Sequence, residues 1–497
     1  MKKHLLTLIV FSSGALVMIL ELLASRLFAP YLGTSLPVWS ALIAVILGCL
    51  SLGYWYGGKL ADRGANWKTF GQFFFVAAGI VFVTLLLQAR VLEFLSNLSP
   101  NIYWTSITAA LLLFGPVGVV LGFVSPYAVR LRLTQLSDSG QTIGNLYAWS
   151  TLGSIAGTLA AGFLLLPALG HQQLLWLCVV ALLILGVLAY APDSRRFMVA
   201  GLIACVILAF WGSLLLEFVK NDEMLDIDTQ YSRVIIGDKI AYQGRNVRFW
   251  QTDWKTAQSA MFVDNPLELV HEYTKFYDLF LSFKPDATDA LMIGGAAFSY
   301  PKYFLATYPD KRMDVVELDG AAVDLASQYF NLDVTDPRLQ IFVQDARPFL
   351  RQNTKQYGAI FFDAFSTNGM IPHQLTTLEF AQDMFDGLTD DGVAVLNIIS
   401  AVQGEDSRVL RALYKTYAQV FPNLYLFQVN TKFPVERAQN LILVADKNST
   451  RKSDDYATLS SLSYWQNYYT QALDTRDVPV LTDDYSPADY YAVDMLY

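Results

Sequence analysis

Cysteine, histidine and charge are all scarce in this chain. It has three cysteines and four histidines in 497 residues, and only 16% of its residues are charged. Cys49, Cys178 and Cys205 each lie in an apolar run and far from one another, so we expect buried thiols and no disulfide framework. The histidines do not have the spacing of metal ligands, so we expect no bound metal.

Basic residues are scarce in the second part of the chain. Residues 1–216 carry 11 Lys and Arg against 5 Asp and Glu, a net charge of +6, whereas the remainder carries 24 against 39, a net charge of −15. An acidic region lacks the basic surface that nucleic acid needs, so no nucleic-acid partner is expected. It suits cationic ligands such as polyamines or sulfonium compounds.

Long apolar runs are confined to residues 1–216. Each of seven runs is long enough to cross a hydrocarbon core of ~30 Å. They cover residues 5–25, 38–57, 69–89, 105–126, 143–167, 172–191 and 197–216. Residues 1–216 are therefore predicted to form a multi-pass transmembrane domain of about seven helices, with the lipid bilayer as its partner.

Positive charge alternates between the ends of these runs. The basic side includes Lys2, Lys3, Lys59, Arg63, Lys68, Arg130, Arg132, Arg195 and Arg196. By the positive-inside rule the amino terminus is cytoplasmic in a bacterial inner membrane. Seven spans would place the rest of the chain outside the cytoplasm, whereas one re-entrant segment, with the glycine-rich stretch 153–162 as the candidate, would reverse that side.

Two features keep a transport function open. Glu21 lies inside the first apolar run, where a carboxylate is either a functional group or the partner of a nearby cation such as Arg26. The stretch GGKLADR at 57–63 resembles the loop between the second and third spans of major-facilitator transporters. One hypothesis is therefore a transporter or sensor whose soluble domain binds a nucleoside or polyamine without turnover.

The pattern changes after the apolar region. Residues 225–266 contain short β-type runs and predict a small antiparallel β-domain, and an amphipathic helix is predicted at 267–283. From 267 to 497 buried strands alternate with helices. Such alternation predicts a doubly wound, largely parallel sheet of Rossmann type, with the ligand at the carboxyl ends of the strands.

Four successive predicted strands end in glycines or acids. These residues are Gly294 and Gly295, then Glu317 and Asp319, then Asp345, then Asp363. Glycine permits close approach of the backbone to a ligand, and a carboxylate about twenty residues further on can accept both ribose hydroxyls. Asp319 or Asp345 alone could instead cap the helix that follows. The set as a whole predicts a nucleoside site.

With these motifs the soluble part resembles the polyamine aminopropyltransferases, the spermidine synthase family, and the whole chain resembles its membrane-fused bacterial members. The family pattern IGGGDGG, VEID, DA and DxxD appears here as IGGAAFS, VELD, DA and DAFS. The resemblance implies a methyltransferase-like sheet beside a small β-domain. It also implies an enzyme that uses decarboxylated S-adenosylmethionine and a polyamine acceptor, and that releases methylthioadenosine. The cosubstrate is not tightly bound, and a homodimer is a further candidate assembly.

The resemblance assigns roles to single residues. Glu317 would hold the ribose, Asp345 and Ala346 would hold the adenine, and Asp363 would be the catalytic carboxylate that accepts a proton from the attacking amine. Three further positions fall near the family's substrate-facing residues: Ser232, Tyr273 and Thr274.

Two acids of the family pattern are missing. The acid that would bind the aminopropyl ammonium aligns with Ala297, and the second acid of DxxD aligns with Ser366. Their loss leaves a second enzyme hypothesis open, in which intact S-adenosylmethionine is used for methyl transfer or is cleaved to methylthioadenosine. Four residues are candidates to replace the missing acids: Tyr300, His373, Asp483 and Asp484.

Overall fold

The chain divides into two compact units. The computed structural model describes residues 2–99, 101–133, 139–190, 203, 224–241, 244–253, 256–366, 369–451 and 463–496. The first unit comprises Met1–Asp222 with Asp226–Ser232, and the second comprises Glu223–Leu225 with Arg233–Tyr497.

The described part of the first unit is helical up to Tyr190. Its main helices are α1 (Lys2–Leu32), α2 (Leu36–Asp62), α3 (Trp67–Leu98), α4 (Ile102–Leu113), α5 (Gly115–Gly122), α6 (Val124–Arg132), α7 (Ser139–Ala160) and α8 (His171–Tyr190). Among the described residues five helices are long and apolar enough to cross a membrane, and there are six if the bent segment from α4 to α6 is one span. Six predicted runs fall on these helices, and the seventh, 197–216, lies outside the described residues except for residue 203.

The fourth predicted run, 105–126, is not a straight helix. It bends by 50° at the break between α4 and α5. Pro116 follows the break and has no backbone N–H, which interrupts the helical hydrogen-bond ladder. The hydroxyl of Thr84 in α3 donates to the carbonyl of Leu113 at 2.8 Å, so the break has a side-chain partner.

The helices α1 and α7 touch backbone to backbone. A Cβ atom at Gly153 would collide with the carbonyl of Phe11, and one at Gly157 would collide with the carbonyl of Ala15. Small residues allow transmembrane helices to approach this closely. The glycine-rich stretch 153–162 is thus a packing surface that runs through α7 into the π-helical turn Ala161–Leu165, and no re-entrant bend occurs there.

The basic stretch 57–63 is the end of a helix and not the loop that its resemblance to transporters suggested. Residues up to Asp62 belong to α2, and Arg63 is the residue that ends it. Gly57 packs against the backbone of Phe123, where a Cβ would not fit.

The segment Asp226–Ser232 of the first unit is tied to one end of its helices. The guanidinium of Arg26 in α1 donates to the carbonyl of Thr229 at 3.3 Å and to that of Gln230. Within the described residues Arg26 forms no ion pair with Glu21. At the start of α8 the Nδ1 atom and the backbone N–H of His171 meet the Asp228 carboxylate at 2.6 and 2.8 Å.

A small sheet follows the helices in the described part of the chain. It has four strands in the order β1 (Met224–Asp228), β2 (Arg233–Ala241), β3 (Arg245–Gln251) and β4 (Ser259–Phe262). The pairs β2–β3 and β3–β4 are antiparallel. Val247 of β3 packs with Ala260 and Phe262 of β4 and with Val270 in a small apolar core.

The second unit is built on a seven-stranded mixed sheet. The strands are β5 (Asp289–Ile293), β6 (Arg312–Glu317), β7 (Leu339–Val343), β8 (Tyr357–Phe362), β9 (Leu388–Ser400), β10 (Asn423–Gln428) and β11 (Gln439–Asp446). Their order is β10-β11-β9-β8-β5-β6-β7, in which β5 to β9 are parallel and the last two strands pair antiparallel. The predicted Rossmann-type sheet is confirmed at this level. The strand order reverses between β5 and β8, which is where such sheets bind ligands.

Helices connect the parallel strands. They are α9 (Ser299–Thr307), α10 (Gly320–Tyr329), α11 (Ala346–Gln352), α12 (Leu378–Gly387) and α13 (Arg408–Tyr417), and α14 (Ala488–Leu496) follows later. The helix predicted at 267–283 is broken into two α turns, Glu272–Lys275 and Phe280–Phe283, around the 3₁₀ turn Phe276–Leu279. All six residues of β8 are buried, as expected for a strand covered on both faces.

Candidate active site

The loop after β5 requires glycine at its first position. Gly294 has φ +91°, and its N–H donates to the carbonyl of Val316 in β6 at 2.9 Å. A Cβ atom there would collide with the backbone carbonyl of Asp363 at the end of β8. The ends of the two strands can therefore meet only because residue 294 has no side chain.

Further along this loop, two residues other than glycine adopt the positive φ values that glycine usually provides. Ala296 and Phe298 have φ values of +45° and +52°, in the left-handed region that L-residues avoid. Ala297 and Phe298 are both 0% exposed, and the Phe298 ring packs against Gly295. The position where the family pattern has an acid is thus a buried, uncharged part of the loop.

Glu317 holds this loop in place through hydrogen bonds to its backbone. One carboxylate oxygen accepts the backbone N–H groups of Gly295 at 2.7 Å and Ala296 at 3.1 Å, and the other accepts that of Asp319 at 2.9 Å. Burial raises the pKa of Glu317, and these three N–H donors act against that rise because they favour the charged form. The carboxylate is held in one orientation at the strand ends and keeps lone pairs for further donors.

Asp319 and Asp345 both cap helices. Asp319 accepts the N–H of Ala321 at 3.1 Å at the start of α10, and Asp345 accepts that of Arg347 at 2.9 Å at the start of α11. The capping alternative is therefore realised for both residues. Ala346, the first residue of α11, is buried.

Two apolar side chains lie exposed beside these acids. Leu318 follows Glu317 and is 42% exposed, and Val343 at the end of β7 is 56% exposed. The N–H of Gln344 donates to the carbonyl of Glu317, which keeps the two strand ends together. A flat aromatic base can pack on an exposed apolar surface of this kind, next to carboxylates that can accept hydrogen bonds from ribose hydroxyls.

Asp363 lies at the switch point, on the first residue after β8. The amide of Asn397 donates to its Oδ1 atom at 2.9 Å, and the hydroxyl of Tyr273 donates to its Oδ2 atom at 3.2 Å. Burial raises the pKa of Asp363 to about 6, and the hydrogen-bonding groups of Asn397, Tyr277 and Tyr273 oppose the rise. A carboxylate in this range can both take up and release a proton near neutral pH.

Sequence reasoning missed the amide chain behind Asp363. Asn397 accepts the side-chain amide of Asn440 at 3.0 Å, so two neighbouring strands, β9 and β11, orient the catalytic candidate. A signal was present, because Asn397 is the one polar residue in the apolar run VAVLNII at 393–399. A buried amide in such a run needs a partner, which marks it for attention.

Three predicted site residues have other hydrogen-bond partners. Thr274 donates to the carbonyl of His271 at 2.7 Å within its own helical turn, and Ser366 donates to that of Met370 at 2.9 Å. The backbone N–H of Ser232 donates to the Thr229 hydroxyl at 3.0 Å in a turn of the first unit. Among the residues that the structure describes, close contacts join Gly294, Gly295, Glu317, Tyr273 and Asp363, and the three hydrogen bonds above lead away from that group.

The proposed replacements for the missing acids have other surroundings. Tyr300 is buried and donates to Asp278 at 3.2 Å. The ring of His373 is 62% exposed, with Nδ1 at 4.0 Å from Asp489.

The acids of the stretch LTDDYSP differ from one another. Asp483 is paired with Arg347 at 2.5 Å and accepts the hydroxyl of Thr377 at 2.8 Å, and the guanidinium lowers its pKa. It is therefore a structural ion-pair partner and not a free acid for an amine. Asp484 is exposed. In the described part of the chain no group of three or more His, Cys, Asp or Glu could hold a metal ion.

Comparison with known proteins finds a family match in the second unit. Residues 269–453 match the family model "Spermine/spermidine synthase domain". A polyamine aminopropyltransferase of Vibrio vulnificus is 30% identical over 166 residues, which cover 33% of this chain and 52% of that protein. A polyamine aminopropyltransferase of Corynebacterium efficiens is 27% identical over 326 residues, covering 61% of this chain and 60% of that protein. The chain thus spans little more than half the length of these relatives.

Among solved structures, a probable spermidine synthase from Corynebacterium glutamicum aligns with 45% of this chain and 82% of its own. The sequence identity is 23% and the TM-score is 0.39.

Proposed function

We propose that this chain, whose residues 269–453 belong to the spermine/spermidine synthase family, is a membrane-anchored transferase. It would transfer the aminopropyl group of decarboxylated S-adenosylmethionine to an amine acceptor of the polyamine class and release methylthioadenosine.

The observation that carries this proposal is the state of Asp363. An ammonium has no lone pair, so an amine can displace a thioether from a sulfonium carbon only after it has lost a proton. Asp363 is a partly buried carboxylate with a pKa near 6, fixed by Asn397 and Tyr273 at the switch point of the sheet. It can accept that proton, and its charge also favours a cationic sulfonium nearby.

The nucleoside half of the site supports the same proposal. Glu317 is fixed by three backbone N–H groups and has capacity left for ribose hydroxyls. Leu318 and Val343 supply the apolar surface for the adenine, and Asp345 with Ala346 lies at the start of the next helix. These groups lie at or just after the ends of β6 and β7, the next two strands of the sheet beyond β5, which Gly294 follows.

A second candidate function is favoured by the loop 296–298. The position that would bind the aminopropyl ammonium is Ala297, which is fully buried behind the loop. The feature that favours the decarboxylated cosubstrate is therefore absent at this position. Intact S-adenosylmethionine, for methyl transfer or cleavage to methylthioadenosine, is the second candidate.

Product analysis tests both candidates. The full-length protein in detergent would be incubated with decarboxylated or intact S-adenosylmethionine, with and without 1,4-diaminobutane, and nucleosides identified by mass spectrometry. Methylthioadenosine that depends on the decarboxylated cosubstrate and the diamine is the expected result. Asp363→Asn should abolish it, whereas Asp474→Asn, an exposed acid paired with Arg476, should not.

Other product patterns identify the alternatives. S-adenosylhomocysteine, or methylthioadenosine formed from the intact cosubstrate alone, would favour the second candidate. Binding of methylthioadenosine without any nucleoside product would contradict both enzyme proposals and leave a non-catalytic binding domain.

We also propose that the soluble part lies outside the cytoplasm. The basic residues Lys59, Arg63 and Arg132 lie at one set of helix ends, those of α2 and α6. Asp228 contacts His171 at the start of α8, whereas α8 runs about 30 Å to Tyr190 at its other end. If the spans alternate in direction, α2, α6 and α8 all end on the basic side, so the start of α8 lies on the opposite side. Residues 226–232 contact the start of α8 and therefore belong to that opposite side. The positive-inside rule makes it extracytoplasmic.

Reporter fusions test this topology. A phosphatase fused after Tyr497 should be active and a green fluorescent protein at the same position should be dark, because each reporter folds on one side of the membrane only. Fusions after Asp62, at the basic end of α2, are the matched control and should give the reverse pattern. A fluorescent carboxyl-terminal fusion would place the soluble part in the cytoplasm.

A further inference from the structure

A cavity lies between the start of α13, the segment 469–477 and α14. Its volume is about 630 Å³, within the range of about 300–1,000 Å³ that is typical of small-molecule sites. Two of its walls, residues 469–477 and Tyr491 of α14, lie outside the stretch 269–453 that matches the family model. In the described part of the chain its lining residues all differ from those assigned above to the candidate active site. The cavity is therefore a separate feature of the second unit.

Arg411 lines this cavity in a fixed position. Its side chain is only 12% exposed. The Nε atom donates to the Ser407 hydroxyl at 2.8 Å, and Nη1 donates to the carbonyl of Asp474 at 3.0 Å and to the carboxylate of Asp477. The other terminal nitrogen, Nη2, forms no hydrogen bond with the residues that the structure describes. One edge of the guanidinium is thus anchored, and Nη2 remains available to an acceptor.

Arg408 repeats this arrangement three residues earlier on α13. Its Nε atom donates to the carbonyl of Glu405 at 3.2 Å, and Nη2 donates to the Asp494 carboxylate at 3.0 Å. The guanidinium lies 5.2 Å from the ring centroid of Tyr491. Among the described residues its Nη1 atom has no partner. Residues three apart are neighbours on a helix surface, so two anchored guanidinium groups each keep one nitrogen for an acceptor.

The cavity also has an acid without a counter-ion. Glu405 lines it in the 3₁₀ turn before α13, and its carboxylate forms no hydrogen bond or ion pair within the described ranges of the chain. The other two acids of the lining are paired, Asp474 with Arg476 at 2.7 Å and Asp477 with Arg411. The lining thus has two arginines against three acids, an excess of one negative charge. A simple anion would leave this acid unpaired, and a simple cation would leave the arginine N–H groups unused.

We propose that this cavity binds a small zwitterion of the amino-acid class, with its carboxylate on Arg408 and Arg411 and its ammonium beside Glu405. A carboxylate has two oxygens, one for each guanidinium, and hydrogen bonds between charged groups are the strong ones. Ala472 and Leu473 give the cavity an apolar part, which favours an aliphatic side chain. This inference does not rest on the proposed function.

Calorimetry on the full-length protein in detergent tests this site with L-leucine as the probe. Two analogues isolate the charges of L-leucine, because 4-methylpentanoate lacks the ammonium and 3-methylbutylamine lacks the carboxylate. L-Leucine should bind, and each analogue should bind roughly tenfold or more weakly, since each has lost charge-assisted hydrogen bonds. An analogue that binds as tightly as L-leucine would overturn the zwitterion assignment. An absence of L-leucine binding would overturn the inference as a whole.

Glu405→Gln removes the charge that would hold the ammonium. L-Leucine binding should weaken roughly tenfold. The unfolding temperature should not change, because among the described residues the exposed carboxylate has no bond to lose. Asp310→Asn is the matched control, since this exposed acid precedes β6 at the amino edge of the sheet, whereas the cavity lies beyond the carboxyl end of β9. L-Leucine affinity should be the same in the control as in the wild type.

Two further outcomes would overturn the inference. One is unchanged L-leucine binding in Glu405→Gln. The other is displacement of L-leucine by methylthioadenosine, which would place the probe in the proposed nucleoside site, whereas separate sites predict an affinity that stays within about twofold. None of these measurements needs turnover, so their failure would leave the proposed function untouched.

Discussion

At the scale of single residues the candidate site is centred on one acid, Asp363, and the neutral side chains that donate hydrogen bonds to it. Asp363 has no cationic partner among the described residues, so burial dominates its pKa and the neutral donors around it set how far the pKa rises. Asn397 is the largest of these opposing influences, followed by Tyr277 and Tyr273. The side chain that controls the protonation of the base is therefore one strand away from it.

Replacing Asn397 should shift the pH dependence of turnover. The Asn397 amide favours the charged carboxylate, so Asn397→Ala should raise the pKa of Asp363 above about 6. Because the base acts in its deprotonated form, the acidic limb of kcat/KM should move to higher pH, by about one to two units for a hydrogen bond of about 1.5–3 kcal/mol. A rate profile from pH 5 to 9 measures this. An unshifted limb with a uniformly lower rate would mean that Asn397 acts only through packing.

The strained loop after β5 offers a test of stability. Ala296 is held at φ +45°, which costs an L-residue about 1–2 kcal/mol and glycine almost nothing. Ala296→Gly should therefore stabilise the second unit by about 0.5–1 kcal/mol after the extra freedom of glycine in the unfolded chain is deducted. Denaturant unfolding followed by tryptophan fluorescence gives the value. Ala322→Gly in α10 is the control and should destabilise, because helical glycine is unfavourable.

At the scale of elements the glycines decide how closely helices and strands approach. In the first, helical unit the contact of α1 with α7 depends on Gly153, whose missing side chain makes room for the carbonyl of Phe11. In the second unit the contact of β5 with the end of β8 depends on Gly294 in the same way. Both positions are backbone-to-backbone contacts, and neither tolerates a methyl group.

A larger side chain at Gly153 should separate α1 from α7. Gly153→Leu is expected to destabilise the helical unit by about 1–3 kcal/mol or more, since the carbonyl of Phe11 cannot move away without the whole helix. Gly144→Leu, on the same helix but with open space around its Cβ position, is the control. Size-exclusion profiles after graded heating in detergent would compare the two variants. Equal profiles would show that the close approach is not needed.

The sequence predicted where strands and helices lie better than it predicted where a helix is interrupted. Apolar runs located the strands of the large sheet, because buried parallel strands have few polar residues. The pattern at 267–283 predicted one helix, yet a 3₁₀ turn at Phe276–Leu279 breaks it, and helical periodicity cannot distinguish the two over four residues. The short helix α11 was not predicted, because seven residues give too little periodicity.

The site itself was partly visible in the sequence. Gly294, Glu317 and Asp363 stand out because glycines and acids interrupt apolar strands at their ends. Asn397 lies inside strand β9. Whether its amide reaches Asp363 depends on the register of β9 against β8, which local sequence does not determine.

At the scale of the whole molecule the chain has two units with separate cores. The first is an apolar helical unit, and the second carries the large sheet and all of the contacts that join Glu317 and Asp363 to their partners. An extracytoplasmic soluble part would meet only nucleosides that have crossed the membrane. The side of the membrane and the choice of cosubstrate are therefore linked questions.

Ligand binding should stabilise one unit only. We expect two unfolding transitions in calorimetry of the full-length protein, because each unit has its own core. Methylthioadenosine at about 100 times its dissociation constant should stabilise the second unit by about 2.7 kcal/mol, or roughly 5–10 °C, and leave the other transition in place. Glu317→Ala should remove the shift. A single transition, or an equal shift of both, would mean that the units unfold together.

The pairing of Asp483 with Arg347 and Thr377 has a consequence for biosynthesis. These bonds join residues 136 and 106 positions apart in the chain. At a translation rate of about 5–20 residues per second, α11 and the start of α12 leave the ribosome roughly 5–25 seconds before their partner is made. Until then Arg347 is a charge without its main counter-ion, next to the residues proposed to bind the nucleoside. A nascent chain would therefore hold an unfinished form of this proposed site, exposed to chaperones and proteases, until residue 483 has emerged.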